Sequence, residues 1–147
     1  MTFRRFEEIQ AWQLARRIAS RVDHLSEDGT FSRDFGLRDQ ARRAAVSMMS
    51  NIAEGFSRRS DQEFAQYLFY AKSSGAELQS HLYLALDRRH ISDEQFSTLY
   101  EEIDHFARQL SNLITFLRRP ISSQRNGRSD SGSMRSSRTR NRIQGTQ

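Results

Sequence analysis

The chain of 147 residues contains no cysteine and a single proline, Pro120. Without cysteine it forms neither a disulfide scaffold nor a thiolate metal or redox site. No apolar run approaches the roughly 20 residues that cross a bilayer, and the N-terminus has no apolar signal core. These absences predict a cytoplasmic protein without a membrane partner, and the length leaves room for one compact domain.

Positive charge is scarce in the body of the chain and concentrated at its end. The net charge of +5 comes from 23 basic and 18 acidic residues, and residues 1–120 hold 17 of each. The remainder, 121–147, holds Asp130 and six arginines: Arg125, Arg128, Arg135, Arg138, Arg140 and Arg142. The sequence therefore predicts a neutral folded body, 1–120, and a disordered Arg/Ser-rich tail, 121–147, with too few apolar residues to fold.

Apolar residues recur every three or four positions in four segments of the body, and no segment alternates as a strand does. The predicted helices cover about 6–25, 34–57, 61–87 and 93–117. Because the breaks between them are short, sequential helices should run antiparallel. The prediction is an all-α, up-down-up-down four-helix bundle.

The third and fourth helices have the clearest sequence signals. Each begins with a predicted capping box, Ser60 with Glu63 and Ser92 with Gln95. Their core positions step alternately by three and four residues, which predicts shallow packing angles. These positions are Phe64, Leu68, Ala71, Gly75, Leu78, Leu82 and Ala85 in one helix, and Phe96, Leu99, Ile103, Phe106, Leu110, Leu113 and Leu117 in the other.

Residues 44–53 of the second helix form ten consecutive positions without a charge. Helical geometry places Val46, Met49 and Ala53 on the side away from the predicted core. An outward apolar surface predicts a second buried contact, most simply with another copy of the chain. The alternative is that neighbouring helices of the same bundle cover it.

A polar stripe runs along the same helix. Its members are Gln40, Arg43, Ser47, Asn51, Glu54 and Arg58. Glu54 and Arg58 are spaced for an ion pair, and Asn51 lies on the heptad line, where a polar residue fixes register and oligomeric state. We interpret the stripe as a set of register and ion-pair contacts; a ligand or phosphate site is the alternative.

Residues 40–47, QARRAAVS, and 50–55, SNIAEG, closely resemble the signature of a family of small bacterial four-helix-bundle proteins. These proteins were first noted as products of intervening sequences in large-subunit ribosomal RNA genes. Residues 6–15, FEEIQAWQLA, and 74–78, SGAEL, extend the resemblance, which spans about 3–119. The sequence departs from many relatives at Met49, where they place proline, and at Ser73, where they often place glycine.

The resemblance implies rings of five subunits. Relatives include the accessory subunit of diversity-generating retroelements, which associates with a reverse transcriptase and nucleic acid. By resemblance, the signature and interface positions are Arg43, Val46, Ser47, Met49, Asn51, Ala53 and Glu54. The tail beyond Pro120 falls outside the resemblance.

Two pairs have the spacing of metal ligands in helical bundles, Glu102 with His105 and, more loosely, Asp87 with His90. A di-iron site needs two such pairs facing inward together with glutamates from two other helices. Glu102 and His105 do not face inward as a unit, and no nucleophile accompanies Glu77 and His81. The sequence therefore predicts no metal, no cofactor and no enzymatic activity.

Nucleic acid is the partner that the charge distribution favours. The six tail arginines suit phosphate contacts with RNA or DNA, at low sequence specificity. Six arginine doublets in the body, among them Arg16-Arg17, each have acids nearby in sequence. The leading hypothesis is a homo-oligomeric, pentameric, nucleic-acid-binding bundle. The alternative is a protein-interaction scaffold or an accessory subunit of a nucleic-acid enzyme.

Overall fold

The computed structural model describes residues 3–120. Over this range the chain forms four long helices and one short helix, and no strand, which confirms the predicted all-α class. The elements are α1 (Gln10–Leu25), α2 (Gly29–Arg33), α3 (Phe35–Phe56), α4 (Asp61–Asp87) and α5 (Asp93–Leu117), with a 3-10 turn at Phe6–Glu8. The predicted tail, 121–147, lies outside the described residues, and its disorder stays a prediction.

The four long helices form the predicted bundle. α1 packs against α3 and α5, and α4 packs against the same two helices, so that α1 and α4 are diagonal. The antiparallel direction of α3 and α4 follows from their contacts, because Arg43 pairs with Glu77 whereas Glu54 pairs with Tyr67. None of the helices within residues 3–120 combines the length and apolarity needed to cross a membrane.

The predicted starts of the last two helices are right, but only one capping box is complete. At α5, the Gln95 amide donates to Ser92 Oγ (3.1 Å), and the Ser92 amide donates to Gln95 Oε1 (2.9 Å). At α4, the Glu63 amide donates to Ser60 Oγ (3.1 Å), while no returning bond from the Ser60 amide is present within the described residues. The predicted box at Ser60 is therefore a single serine cap.

The first predicted helix is interrupted, and the break after it contains a helix that the sequence pattern did not predict. A 3-10 turn precedes α1, and Ile9 between them is buried in the core. α2 lies within the break, residues 26–33, between the first two predicted helices, and it buries Phe31. Ser26 is fully buried, where its hydroxyl donates to the Val22 carbonyl (2.7 Å) and accepts from Arg42 Nε (2.8 Å).

The core follows the predicted seams closely on α4 and less closely on α5. All seven predicted positions of α4 are buried. On α5, Phe96 and Leu113 are half-buried, contrary to the prediction that both lie in the seam, and Ile114 is buried beside Leu113. A straight helix of 3.6 residues per turn drifts from a strict seven-residue repeat, so the buried line passes to the next residue.

Candidate functional site

A chain of hydrogen bonds crosses from α3 to α4 at the centre of the signature. Ser47 Oγ and Ser74 Oγ lie 2.8 Å apart, and Asn51 Nδ2 donates to both the carbonyl and the hydroxyl of Ser47 (2.9 Å each). Ser74 Oγ also donates to the Tyr70 carbonyl (3.1 Å). These polar groups are half-buried between the two helices and satisfy one another. Both bonds of Asn51 thus stay within α3 and end on Ser47, whose hydroxyl contacts α4.

The C-terminal end of α3 carries the predicted ion pair. Arg58 Nη2 donates to Glu54 Oε1 (3.2 Å) and to the Tyr67 hydroxyl, which in turn donates to Glu54 Oε1 (3.4 Å). The Arg58 guanidinium lies 4.8 Å from the centre of the Tyr67 ring. Arg58 is therefore held by a carboxylate, a phenol and an aromatic face at the same time.

Gly55 explains how this end of α3 comes so close to α4. The residue is buried, and a Cβ built on it would lie 2.5 Å from the Cβ of Tyr67. No side chain fits that distance, so the close approach of the two helices requires glycine. The spacing of apolar residues does not reveal this role, although a glycine inside a helical pattern lowers stability and so points to a packing or functional reason.

At the other end of the stripe, Arg43 is paired loosely. Arg43 Nη2 donates to Gln40 Oε1 (2.6 Å) and lies 4.0 Å from Glu77 Oε2. Glu77 also contacts His81 Nε2, one helical turn further along α4, at 3.3 Å. The stripe is thus a network of contacts between α3 and α4.

The outward apolar surface of α3 is smaller than predicted. Val46 is 52% exposed. Met49 and Ala53, however, are half-buried, and Met49 packs against the core of its own bundle. The physical reason is that α3 packs against both α1 and α4, so neighbouring helices cover two of its sides. Much of the uncharged band at 44–53 is therefore explained within a single chain.

Neither predicted metal-ligand pair forms a metal site in the part of the chain that the structure describes. Glu102 forms an ion pair with Arg21 of α1, and His105 Nε2 lies 3.2 Å from Gln109 Nε2 on its own helix. His90 does not pair with Asp87. No group of three or more histidine, aspartate or glutamate side chains within residues 3–120 is arranged to hold a metal ion.

His90 instead belongs to a cluster that sequence spacing could not reveal. Its Nε2 lies 2.9 Å from Asp34 Oδ2 and its Nδ1 lies 2.8 Å from Thr30 Oγ1, while its ring stacks on Phe31. Arg88 donates to the same Asp34 oxygen (2.8 Å). These hydrogen bonds from His90 and Arg88 hold the pKa of Asp34 below its ordinary value of 3.8.

The cluster connects α2 and the start of α3 to the turn between α4 and α5. That turn places Arg89 in the left-handed region, with φ of 60°. The conformation is strained for a residue other than glycine. It directs the next residue, His90, towards Asp34, which lies 56 positions away in sequence.

The arginines of the bundle differ in whether a carboxylate accompanies them. Arg21 and Arg42 are each paired with a carboxylate, Glu102 and Asp23 respectively. Arg16 and Arg17 have no carboxylate within ion-pair distance among the described residues, contrary to the expectation that acids offset each doublet. The six tail arginines lie outside the described residues.

Comparison with known families identifies the family of this protein. The family model of the 23S rRNA-intervening sequence protein matches residues 7–112. The chain belongs to this family. The matched range begins in the 3-10 turn and ends within α5, so it includes the α3–α4 network and excludes the basic tail. The resemblance inferred from the signature residues is thereby confirmed.

A solved structure has a similar fold. It is a protein of unknown function from the S23 ribosomal protein family of Bacteroides thetaiotaomicron VPI-5482, 21% identical to the chain. The match has a TM-score of 0.60 and covers 74% of this chain and 95% of the other. No protein of curated function is significantly similar to the chain.

Proposed function

We propose that this member of the 23S rRNA-intervening sequence protein family is a non-enzymatic, homo-oligomeric bundle that binds RNA or DNA through arginines. The observation that carries the proposal is the separation of charge along the sequence. Residues 1–120 hold equal numbers of acids and bases, and the excess of +5 lies in 121–147. The family's name, which refers to 23S rRNA, supports a nucleic acid as the partner.

Phosphate contacts explain what such a tail does. Each arginine that neutralises a phosphate releases condensed counterions, so binding weakens steeply as salt rises. Contacts to phosphate carry little sequence information. Several tails in one oligomer raise the effective concentration of arginine on a long polyanion. The proposed activity is therefore avid, salt-sensitive binding of low sequence specificity.

The test is a titration of single-stranded RNA with the full chain at several salt concentrations. Changing all six tail arginines to glutamine should weaken binding and flatten the salt dependence by about 0.7 per lost phosphate contact. The matched control changes the same six residues to lysine, which keeps the charge. Equal affinity of the wild type and the glutamine variant would overturn the role of the tail.

Self-association, as a ring of five, is the second part of the proposal. Val46 supports it, because a 52% exposed valine lies beside the polar network of α3. Light scattering should give a multiple of the 17.2 kDa chain mass, five times for the proposed ring. Val46→Asp should lower that mass, whereas the control Leu84→Asp, at a 42% exposed position on α4, should not. A monomeric wild type at micromolar concentration would contradict the proposal.

The proposal that the protein is not an enzyme has to account for the cluster at Asp34, because that cluster resembles a catalytic arrangement. Thr30, His90 and Asp34 follow the order hydroxyl, imidazole, carboxylate that activates a nucleophile in hydrolases. In this cluster Arg88 shares the Asp34 oxygen. A carboxylate already neutralised by a guanidinium stabilises an imidazolium less, which favours a structural role for the cluster.

A protein partner is the second candidate, and an aromatic patch favours it. Tyr83, Phe96 and Tyr100 contact one another across α4 and α5, with ring centres 4.8–5.8 Å apart. Tyr83 is 50% exposed. Exposed aromatic groups of this kind are typical of protein interfaces. If neither the wild type nor the tail variants bind RNA or DNA, the scaffold or accessory-subunit function is favoured.

A further inference from the structure

One exposed face of α1 combines free positive charge with an aromatic ring. Arg16 and Arg17 are exposed and form no ion pair within residues 3–120, unlike Arg21 one turn further along. The acid nearest in sequence, Asp23, pairs instead with Arg42 of α3 (3.7 Å). This face therefore presents two uncompensated guanidinium groups on a rigid helix.

Trp12 lies beside these arginines and is held in place from two directions. The edge-to-face contact with Phe6 has a ring-centre distance of 5.1 Å, and the Arg16 guanidinium lies 5.9 Å from the indole centre. The indole is half-buried and packs against the core, so part of it remains accessible. A fixed, partly exposed indole is a suitable surface for a planar group to stack on.

The same side chains enclose an open depression. It measures about 370 Å³ and is lined by Trp12, Gln13, Arg16, Arg17 and Ser20. Positions three, four and seven residues apart share one side of a helix, so the lining forms a single surface about 12 Å long at 1.5 Å per residue. The Gln13 amide is fixed by its bond to the Glu7 carbonyl (2.8 Å).

We propose that this face of α1, the Trp12–Ser20 surface, is a contact site for single-stranded nucleic acid on the folded bundle. The inference rests on the proposed nucleic-acid function and adds a second site to the tail. Arg16 and Arg17 contact phosphates, and a base stacks on the indole of Trp12 or on the Arg16 guanidinium. Basic grooves with aromatic stacking surfaces bind single strands in this way.

The chemistry favours nucleic acid over an acidic protein segment. The carboxylates of an acidic peptide would satisfy the two guanidinium groups, but they supply no ring that stacks on the indole. A single strand supplies both groups in each nucleotide, a phosphate and an unpaired base. A rigid duplex keeps its bases stacked within the helix and offers only the phosphates.

The chain contains one tryptophan, so its fluorescence reports directly on the proposed site. The experiment titrates the full chain with a single-stranded oligonucleotide of RNA and, separately, with inorganic polyphosphate. RNA should quench Trp12, and polyphosphate should quench it much less. In the variant with six tail glutamines the RNA should bind more weakly and still quench Trp12. Equal quenching by polyphosphate would overturn base stacking at this site.

Variants of the two arginines test the contribution of charge. Arg16→Gln with Arg17→Gln should weaken RNA binding several-fold and lower the salt slope by about 1.4, the value for two phosphates on a single strand. The matched control, Arg33→Gln with Arg89→Gln, removes two other exposed arginines that lack an ion pair among the described residues. Arg16→Lys with Arg17→Lys should keep the salt slope.

The outcomes separate this site from the tail. Circular dichroism of each variant shows first whether the helices are intact. RNA binding that depends on the tail but leaves Trp12 fluorescence unchanged would overturn the α1 site and leave the proposed function standing. Equal losses in the Arg16/Arg17 variant and in the Arg33/Arg89 control would overturn it as well. Absence of RNA binding by the wild type would overturn the proposed function itself.

Discussion

The α3–α4 face and the Trp12–Ser20 surface of α1 are both rich in arginine, yet their arginines differ in what surrounds them. On α3, Arg43 and Arg58 contact Glu77 and Glu54, and Arg58 also contacts Tyr67. On α1, Arg16 and Arg17 contact no carboxylate in the described part of the chain. The first set contributes to helix packing, whereas the second keeps its charge available for a partner. Arginine content alone therefore does not locate a binding surface.

Among changes that disrupt the packing of α3 on α4, the largest loss of stability is expected at Gly55. Gly55→Ala should lower the free energy of unfolding by about 1–3 kcal/mol, the usual cost of overpacking. The new Cβ would lie 2.5 Å from the Cβ of Tyr67, so the helices must move apart. Urea unfolding measures the change.

The matched control is Gly36→Ala in the same helix, where a Cβ meets no atom within 4 Å. Alanine there should leave the protein equally stable or stabilise it by up to about 1 kcal/mol. Equal effects at the two positions would contradict the close contact at Gly55.

The next effect is expected at the hydrogen bond between Ser47 and Ser74. Ser47→Ala should cost about 0.5–1.5 kcal/mol, because it removes this bond and the side-chain acceptor of Asn51. The control is Ser73→Ala, at an exposed position without a hydrogen bond among the described side chains. A double-mutant cycle of Ser47→Ala and Ser74→Ala measures the coupling. Additive effects would show that the two hydroxyls do not interact.

Asp34 predicts a pH dependence of stability that belongs to neither arginine surface. Hydrogen bonds from His90 and Arg88 lower the pKa of Asp34 in the folded protein below the ordinary value of 3.8. The folded state therefore binds this proton less readily than the unfolded chain, and the stabilisation is present above that value. It is lost as the pH falls below 3.8 through the pKa of the folded state.

Replacing Asp34 by asparagine should remove this part of the acid destabilisation, which urea unfolding at a series of pH values will show. Asp28→Asn is the control, because Asp28 forms no ion pair within residues 3–120. If Asp34→Asn and the wild type lose stability in parallel on acidification, the cluster does not stabilise the charged carboxylate.

The smallest effects compare the two sets of arginines directly. Arg58→Gln should cost about 0.2–1 kcal/mol, since exposed ion pairs contribute little to stability. Arg16→Gln with Arg17→Gln should change stability by no more than about 0.5 kcal/mol, as substitutions away from packed contacts usually do. Thermal unfolding measures both. A larger loss from the α1 variant would show that these arginines have a structural role.

The four long helices could be predicted because their signals are local. Ser60 and Ser92 mark two starts, and the spacing of apolar residues marks the buried faces. A strict seven-residue repeat could not predict that Ile114 is more deeply buried than Leu113, since the helix is free to drift from that repeat. α2 could not be predicted because its five residues, in a polar break, are too few to show a helical period.

The candidate surfaces were less predictable, because they depend on contacts between distant residues. His90 was compared with Asp87 by spacing, whereas its partner Asp34 is brought to it by the packing of α2 and α3 against a turn. Acids near Arg16 in sequence suggested that its charge is neutralised. Which side chains meet, however, depends on the face of the helix on which each one lies. The sequence places Ser47 in the polar stripe. Its pairing with Ser74 depends on how far α4 is shifted along α3, which the sequence pattern does not specify.

Gly55 and Ser47 together determine how α3 and α4 can move. The two positions lie about 12 Å apart along α3, at 1.5 Å per residue. A slide by one helical turn, about 5.4 Å, would separate Ser47 from Ser74 and push Tyr67 against side chains bulkier than glycine. The two helices are therefore expected to move together as one rigid body. Force applied by a partner at one end would reach the other end as a displacement of the whole hairpin.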